Sequence, residues 1–262
     1  MPPHVTTARA QYRQVADLIR AGIENGEYPP GSLMPPEPVL AARYGTTRAV
    51  VSKASHILRG EGLIHVIRGR AGRGAGTWVR PIPVIRREAV TRYRQEVREY
   101  AGSRGAFDAE IRSQGMTPRV DLQIARETPP LPLHVENILG PWPVLVRRRM
   151  MYADDIPVQL APSYIPLDIA DGTALAEKDS GPGGIVSRFA DLGYRQTRIT
   201  ESIRLRRATD PERAFLRLEE DAPVTEILHT GWAGERPVEV TVHSLPGYLW
   251  LLDYEWSLSH PQ

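Results

Sequence analysis

The sequence predicts an α+β protein in two parts: a small helical domain closed by a β-hairpin, and a larger mixed α/β domain built on an antiparallel sheet. Three observations predict it. Residues 12–80 contain three helical patterns followed by two strands separated by glycines, and the pattern of 143–158 recurs in 223–238. The first 80 residues carry 11 basic and 5 acidic side chains, whereas the remainder carries 22 and 26. We expect domains at 1–80 and 105–262, joined by a linker at 81–104.

The composition narrows the possible classes of protein. Hydrophobic residues make up 41% and charged residues 24% of the 262 residues, as in folded globular chains. The absence of cysteine excludes disulfides, thiolate metal sites and cysteine nucleophiles, and it fits a reducing cytoplasm. Residues 1–11 have no apolar core of a signal peptide, and no stretch reaches the length of a membrane helix. We therefore expect a cytoplasmic protein without membrane contact.

The N-terminal region predicts a helix-turn-helix. A first amphipathic helix ends near Gly26, and a short helix follows over 37–44. Gly45 breaks that helix, and Thr46 or Thr47 caps a third helix that runs to about Arg59. Its inward face is expected to hold Val50, Ala54, Ile57 and Leu58, and its outward face is cationic. Two helices joined by a tight glycine turn, the second with a cationic face, are typical of DNA-binding proteins.

A β-hairpin directly after the third helix predicts a wing. Residues 62–68 and 77–80 read as strands, and the turn of 69–76 is rich in glycine and arginine. A helix presents the residues near its N-terminus to base edges in the major groove. The candidates for DNA contact are therefore Thr47, Arg48, Ser52 and Lys53 on the helix, and Arg68, Arg70 and Arg73 at the wing tip. The alternative for Arg48 and Lys53 is an ordinary solvated helix face.

Residues 12–80 resemble the DNA-binding domain of the GntR family, a winged helix-turn-helix. The matching words include Gly26-Glu27-Tyr28-Pro29-Pro30-Gly31, Pro36-Glu37, Thr46-Thr47-Arg48, Glu61-Gly62-Leu63-Ile64 and Gly74-Ala75-Gly76-Thr77-Trp78-Val79. The resemblance adds Glu37, Thr46 and Gly76 to the expected DNA site. Pro38 and Ser52 stand where the family usually carries arginines, so the resemblance does not define the operator sequence.

The segment between the domains predicts a linker helix from Arg86 to Tyr100 with mixed charges. Its arginines Arg86, Arg87, Arg92 and Arg94 are candidates for contact with the DNA backbone. A solvated linker helix is the interpretation that the charge pattern favours.

The C-terminal part contains an internal repeat. Pro143-Val144 and Pro223-Val224 lie 80 positions apart, and so do Pro157-Val158 and Pro237-Val238. Each copy predicts a helix, a strand, a turn and a return strand, which gives an antiparallel sheet with helices on one face. Strand alternation places polar side chains together on one face, where they either form a pocket floor or face water. This polar face comprises Arg147, Arg149, Gln159, Ser163, Glu239, Thr241 and His243.

Residues 105–258 resemble the UTRA effector domain of the HutC subfamily. The matching words include Gly115-Met116-Thr117-Pro118, Ile156-Pro157-Val158, Ser163-Tyr164-Ile165-Pro166 and Arg236-Pro237-Val238-Glu239-Val240. The resemblance implies a chorismate-lyase-like fold, a homodimer, and a small metabolite that alters DNA affinity. It places ligand contacts at Arg147, Arg149, Ser163 and Glu239. With the polar face and the Ser-Tyr word, the expected effector site is Arg147, Arg149, Gln159, Ser163, Tyr164, Glu239 and His243.

The sequence therefore predicts a transcriptional repressor whose affinity for double-stranded operator DNA is changed by a small-molecule effector. Two alternatives remain: a DNA-binding regulator without a ligand, and an enzyme regulated by its DNA-binding domain. We identify no catalytic residues, because no nucleophile lies in a pattern with a base, and His229 and His243 are isolated. We expect no metal site and no cofactor.

Overall fold

The computed structural model describes residues 7–67, 75–218, 220 and 222–256. The chain divides into two compact units, Met1–Val84 and Ile85–Gln262. Within the described residues, none of the helices combines the length and the apolar character that crossing a bilayer requires.

The first unit is a winged helix-turn-helix, as predicted. It contains helices α1 (Thr7–Glu24), α2 (Glu37–Arg43) and α3 (Arg48–Gly60), followed by strands β1 (Ile64–Ile67) and β2 (Gly76–Val79). Thr47 is the N-cap of α3, and its side chain accepts a hydrogen bond from the backbone N–H of Val50 at 3.4 Å. Strands β1 and β2 pair antiparallel with Ile64 opposite Val79, which confirms the predicted hairpin.

The core of the first unit lies where α1 packs on α3 and the hairpin. Helix α3 buries Val51, Ala54 and Leu58 completely, whereas Val50 and Ile57 are only partly buried. Val51 was missing from the predicted inward face, and it lies on the same stripe as Leu58 because residues seven positions apart repeat after two helical turns. The other buried members of this core are Val15, Ala16, Ile19, Tyr28, Met34, Leu40, Ala41, Ile64 and Val79.

The second unit is built on a six-stranded antiparallel sheet in the order β4-β5-β6-β9-β8-β7. Its strands are β4 (Pro118–Glu127), β5 (Val144–Ala153), β6 (Ile156–Pro166), β7 (Arg198–Arg207), β8 (Pro223–Ala233) and β9 (Arg236–Pro246). A separate two-stranded parallel sheet joins β3 (Ile85–Glu88) to β10 (Trp250–Asp253). The helices are α4 (Gln95–Arg98), α5 (Ala106–Ser113), α6 (Leu133–Leu139), α7 (Leu167–Ala170), α8 (Gly184–Asp191) and α9 (Asp210–Leu216).

The internal repeat is confirmed in the fold. Each copy is a helix followed by a hairpin, α6-β5-β6 in the first and α9-β8-β9 in the second. The register of β5 with β6 shifts between Met151 and Tyr152, and that of β8 with β9 shifts between Gly231 and Trp232. The two irregularities therefore occupy the same place in both copies, and β6 pairs with β9 where the copies meet.

Helices cover both faces of the sheet, so the expectation that they cover one face is wrong. Helix α6 packs on Val144, Val146 and Val240, together with Tyr164. On the other face, Leu145 and Ile165 pack with α7 and α8. Successive side chains of a strand point to opposite faces of the sheet. The burial of consecutive residues in β5 and β6 therefore shows that both faces are covered.

The expected linker helix from Arg86 to Tyr100 is also wrong. Residues 85–88 form β3, whose backbone pairs with β10 near the C-terminus of the second unit. Ile85 and Arg87 are buried, while Arg86 and Glu88 are exposed, as strand alternation requires. Only the four residues of α4 and the 3₁₀ turn Tyr100–Gly102 are helical in this segment. Pairing with a distant strand has overridden the local helical preference.

Substitution of Leu58 tests the core of the first unit. We expect Leu58→Ala to lower the free energy of unfolding by about 2–5 kcal/mol, because it leaves a cavity under α1. Leu18→Ala on the exposed face of α1, where the side chain is 53% exposed, is the matched control and should change it by less than about 0.5 kcal/mol. Urea unfolding followed by circular dichroism measures both, and equal effects would contradict the assigned packing.

The stability of the second unit depends on the ionisation of Glu212. It closes the capping box of α9 with Thr209 and accepts hydrogen bonds from Arg206 and Ser244. Burial alone would raise its pKa, but these hydrogen bonds lower the pKa from 4.5 to about 2. The stabilisation is therefore complete above pH 4.5 and is lost as the pH falls towards 2.

We therefore expect Glu212→Gln to be less stable than the wild type at neutral pH and to lose less stability between pH 5 and pH 2. Thermal unfolding across that range measures the difference. Glu235→Gln, at a side chain that is 98% exposed, is the control and should follow the wild-type curve. Parallel curves for wild type and Glu212→Gln would show that this carboxylate is not the acid-sensitive group.

Candidate DNA-binding surface and effector pocket

The N-terminal turns of α3 present the predicted DNA-contact residues to solvent. Thr47, Arg48, Ser52 and Lys53 are exposed, and Thr46 is half-buried in the turn before the helix. The Nε of Arg48 donates to the carboxylate of Glu37 at 2.9 Å, yet its side chain stays 75% exposed. The guanidinium therefore has a fixed direction while its terminal nitrogens remain accessible.

Two other residues predicted to contact DNA, Glu37 and Gly76, influence the geometry of this surface. A carboxylate repels phosphate, so Glu37 fits the role of orienting Arg48 better than that of touching DNA. Gly76 has φ +152°, and a Cβ at that position would lie 2.6 Å from Leu33 Cδ1. The backbone angle, which other residues rarely adopt, therefore favours glycine at the base of the wing, and a larger residue would also have to displace the Leu33 side chain. Arg70 and Arg73, with Arg68, lie outside the described residues.

A buried polar row crosses the sheet of the second unit. The register aligns Arg147, Ser163, Thr241, His229 and Glu201 on five successive strands, from β5 to β7. None of these five residues is more than slightly exposed. Charged and polar groups in such a place require partners, because burial removes their hydration. We call these five residues the polar row.

Arg147 is buried, and none of the carboxylates in the described part of the chain forms an ion pair with it. Its Nη1 donates to the carbonyl oxygens of Leu175 at 2.7 Å and Glu177 at 2.5 Å, and its Nε has no hydrogen-bond partner among the described residues. Burial, with a smaller contribution from the neighbouring Arg149, lowers the pKa of Arg147 to about 10. Carbonyl dipoles only partly replace the lost hydration, so an anion beside this guanidinium would be strongly favoured.

Arg149, Ser163 and Glu239 form one hydrogen-bonded group. Arg149 donates through Nη2 to the Ser163 hydroxyl and through Nε to the carbonyl of Ala161 at 3.1 Å. The Ser163 hydroxyl donates to Glu239 at 2.8 Å, and Gln196 donates to the same carboxylate at 3.1 Å. Burial alone would raise the pKa of Glu239, but the charges of His229 and Arg149 and these hydrogen bonds hold it below its usual value.

The remaining predicted effector residues do not join this group. Gln159 and His243 hydrogen-bond to each other at 2.9 Å, farther along the same face of the sheet. Tyr164 packs with α6 on the opposite face. Because Tyr164 follows Ser163 directly in β6, the two side chains must point to opposite faces. The prediction that Tyr164 shares the pocket with Ser163 is therefore wrong.

A cavity of about 520 Å³ lies next to Arg147 and Arg149. Phe107, Leu122, Met151 and Ile185 give it an apolar part. Its cations are Arg104, Arg112, Arg119, Arg147, Arg149 and Lys178, against the two carboxylates of Asp108 and Asp179. Arg104, Arg112 and Arg119 form ion pairs with aspartates, so the excess of positive charge that makes the cavity complementary to an anion rests on Arg147, Arg149 and Lys178.

Sequence reasoning missed the opposite wall of this cavity. That wall comes from α5 and from residues 178–186, which lead into α8. Gly184 has φ +68°, and a Cβ there would lie 2.9 Å from the carbonyl oxygen of Arg104, so the two segments approach more closely than a side chain permits. A signal was present, because Lys178 is one of only two lysines and a Ser-Gly-Pro-Gly-Gly run follows at 180–184.

Comparison with known protein families identifies both units. The family of bacterial regulatory proteins called gntR matches residues 11–73, and the UTRA domain family matches residues 113–248. The HTH-type transcriptional regulator RB1450 of Rhizobium meliloti is 30% identical over 242 residues, which cover 88% of each chain. The HTH-type transcriptional repressor NagR of Bacillus subtilis is 26% identical over 84% of this chain and 83% of its own.

Solved structures agree at the level of the fold. A crystal structure of a GntR-family transcriptional regulator covers 95% of this chain and 98% of its own, with a TM-score of 0.59 and 23% identity. The two family matches fall on the helix-turn-helix and on the six-stranded sheet, in that order. The chain belongs to the gntR family of bacterial regulatory proteins and is a DNA-binding transcriptional regulator with a UTRA effector-binding domain.

Proposed function

We propose that this regulator is a repressor, and that an anionic metabolite in the cavity beside Arg147 changes its affinity for operator DNA. The observation that carries the proposal is the buried guanidinium of Arg147, which has no carboxylate partner among the residues that the structure describes and lies on the wall of a cavity rich in cations. The similar protein NagR, which is named a repressor, supports the direction of control.

The DNA-binding step follows from α3. Its first turns enter the major groove, where Arg48, oriented by Glu37, reaches a base edge and Lys53 reaches a phosphate. Ser52 is exposed on the same turns and contributes a hydroxyl. The wing arginines Arg70 and Arg73 add contacts to phosphate or the minor groove.

The effector is a small molecule with at least one negative group. A cavity of about 520 Å³ suits a metabolite rather than a macromolecule. Arg147 and Lys178 hold the anionic group, and the apolar residues Phe107 and Met151 contact the rest of the molecule. Glu239 and Ser163 lie behind Arg149 and fix its orientation.

The working form is a cytoplasmic homodimer on a palindromic site. Two copies of α3 in a two-fold dimer recognise two half-sites in successive turns of the major groove. Effector and operator then influence one another reciprocally, because each alters the affinity of the protein for the other.

Arg48 tests the DNA-binding surface. We expect Arg48→Ala to weaken binding to an operator selected from random duplexes by about 1–3 kcal/mol, because a base contact is lost. Arg13→Ala, at an exposed arginine of α1, removes the same charge and should bind almost as the wild type does. Fluorescence anisotropy at several salt concentrations gives both affinities. Equal losses in the two variants would mean that α3 does not read the operator.

Arg147 tests the effector pocket. Phosphorylated and carboxylated metabolites, with their neutral counterparts, are screened by thermal shift and calorimetry. We expect binding of the anions only, and we expect Arg147→Met to weaken it at least tenfold, or about 1.4 kcal/mol. Arg126→Met, at an exposed arginine paired with Asp171, should bind normally. Equal binding of the neutral counterparts, or normal binding by Arg147→Met, would refute the proposed pocket.

A further inference from the structure

The segment that follows the DNA-binding unit is anchored by a buried ion pair. β3 begins at Ile85, directly after the first unit ends at Val84. Arg87 of β3 is only 1% exposed, and its guanidinium donates to both carboxylate oxygens of Glu201, at 2.5 and 3.0 Å. Paired donors of this kind fix geometry as well as charge. The position of β3 is thus tied to β7, at the end of the polar row.

Glu201 is the last residue of the polar row and is held from several sides. His229 lies at 3.1 Å and Tyr254 donates at 3.0 Å, in addition to Arg87. Although burial opposes ionisation, the hydrogen bonds from His229 and Arg87 hold the pKa of Glu201 well below its usual range. This carboxylate is therefore charged in the folded protein. A change in the charges around it alters its hydrogen bonds with Arg87, His229 and Tyr254.

The other end of the row meets the effector cavity. Arg149 lines the cavity and donates to Ser163, and the Ser163 hydroxyl contacts Thr241 and Glu239. Thr241 lies opposite His229 in the register of β9 with β8. Buried side chains thus run from the cavity to β3: hydrogen bonds join Arg149 to Thr241 and His229 to Arg87, and the strand register places Thr241 opposite His229 between them.

We propose that Arg87 is a positioning residue for allostery: through Glu201, His229 and the Ser163–Glu239 group, it couples Arg149 in the effector cavity to the strand that follows the DNA-binding unit. An anion held by Arg147 and Lys178 also attracts the neighbouring Arg149, which weakens the hydrogen bond from Arg149 to Ser163, rearranges the row and alters the support of β3. The inference rests on the proposed effector site, but the coupling between Arg149 and β3 exists without any ligand and is measured without one.

The experiment is a double-mutant cycle read by hydrogen–deuterium exchange in the full-length chain. The backbone N–H groups of Ile85 and Ala89 hydrogen-bond to Leu249 and Asp253, so exchange over 85–89 reports on β3. We expect Arg149→Met to speed this exchange about fivefold or more, at the lower end of ordinary allosteric coupling. In the double variant Arg87→Met with Glu201→Gln, where the buried pair is neutral, Arg149→Met should have no further effect.

Controls separate coupling from loss of stability. Arg126→Met, an exposed cation of β4, should leave exchange at 85–89 unchanged in both backgrounds. The amides of α6 on the opposite face should stay constant throughout. Where the neutral pair does not fold, Arg87→Lys keeps the charge without the paired geometry and should reduce the effect of Arg149→Met by about half or more.

The inference is overturned if Arg149→Met leaves exchange at 85–89 unchanged, or if it speeds exchange by the same factor in the wild-type background and in the Arg87 variants. Failure of every anion to bind would refute the proposed pocket and would leave this exchange result as it stands. The two proposals therefore fail separately.

Discussion

The organisation of the second unit depends on how it compensates buried arginines. Removing a guanidinium from water costs several kcal/mol, and the cost is offset only by well-placed partners. Arg87 has such a partner in both oxygens of Glu201. Within the described part of the chain, Arg147 has only carbonyl oxygens as hydrogen-bond partners, and burial lowers its pKa to about 10. The ion pair of Arg87 with Glu201 fixes the position of β3. Arg147, by contrast, leaves a positive charge beside the cavity that a bound anion would stabilise.

The duplication of the α-β-β unit explains where these buried polar groups lie. β6 and β9 pair at the junction of the two copies, and the polar row crosses that junction. Ser163 comes from the first copy and Glu239 from the second, and they meet at 2.8 Å. Neither copy alone contains the whole group. The site thus depends on the sheet being continuous between the copies.

In the DNA-binding unit, an ion pair likewise sets the direction of an arginine side chain. Glu37 on α2 holds Arg48 at the start of α3, so the ion pair links the two helices of the motif and directs the cation outward. The pair is exposed and contributes little stability. Its value is geometric, since a base contact requires a fixed side-chain direction.

Sequence alone determined the features that local chemistry controls. Residue spacing along a few turns or strands predicts Thr47 as a helix cap, the amphipathic faces of α1 and α3, and the hairpin. The 80-residue repeat follows from direct comparison of one part of the sequence with another. Strand alternation likewise grouped Arg147, Arg149, Ser163 and Glu239. The same alternation places Tyr164, the neighbour of Ser163 in β6, on the opposite face of the sheet.

Tertiary structure alone decided β3, the cavity wall and the partners of Arg87. Arg86 and Asp253 pair across 167 positions of the chain, and Arg87 reaches Glu201 across 114. Residues 178–186 reach the arginines of β5 only because α8 packs on the sheet. Local pattern carries no information about such contacts, because their free energy comes from burial and pairing between segments that meet only after folding.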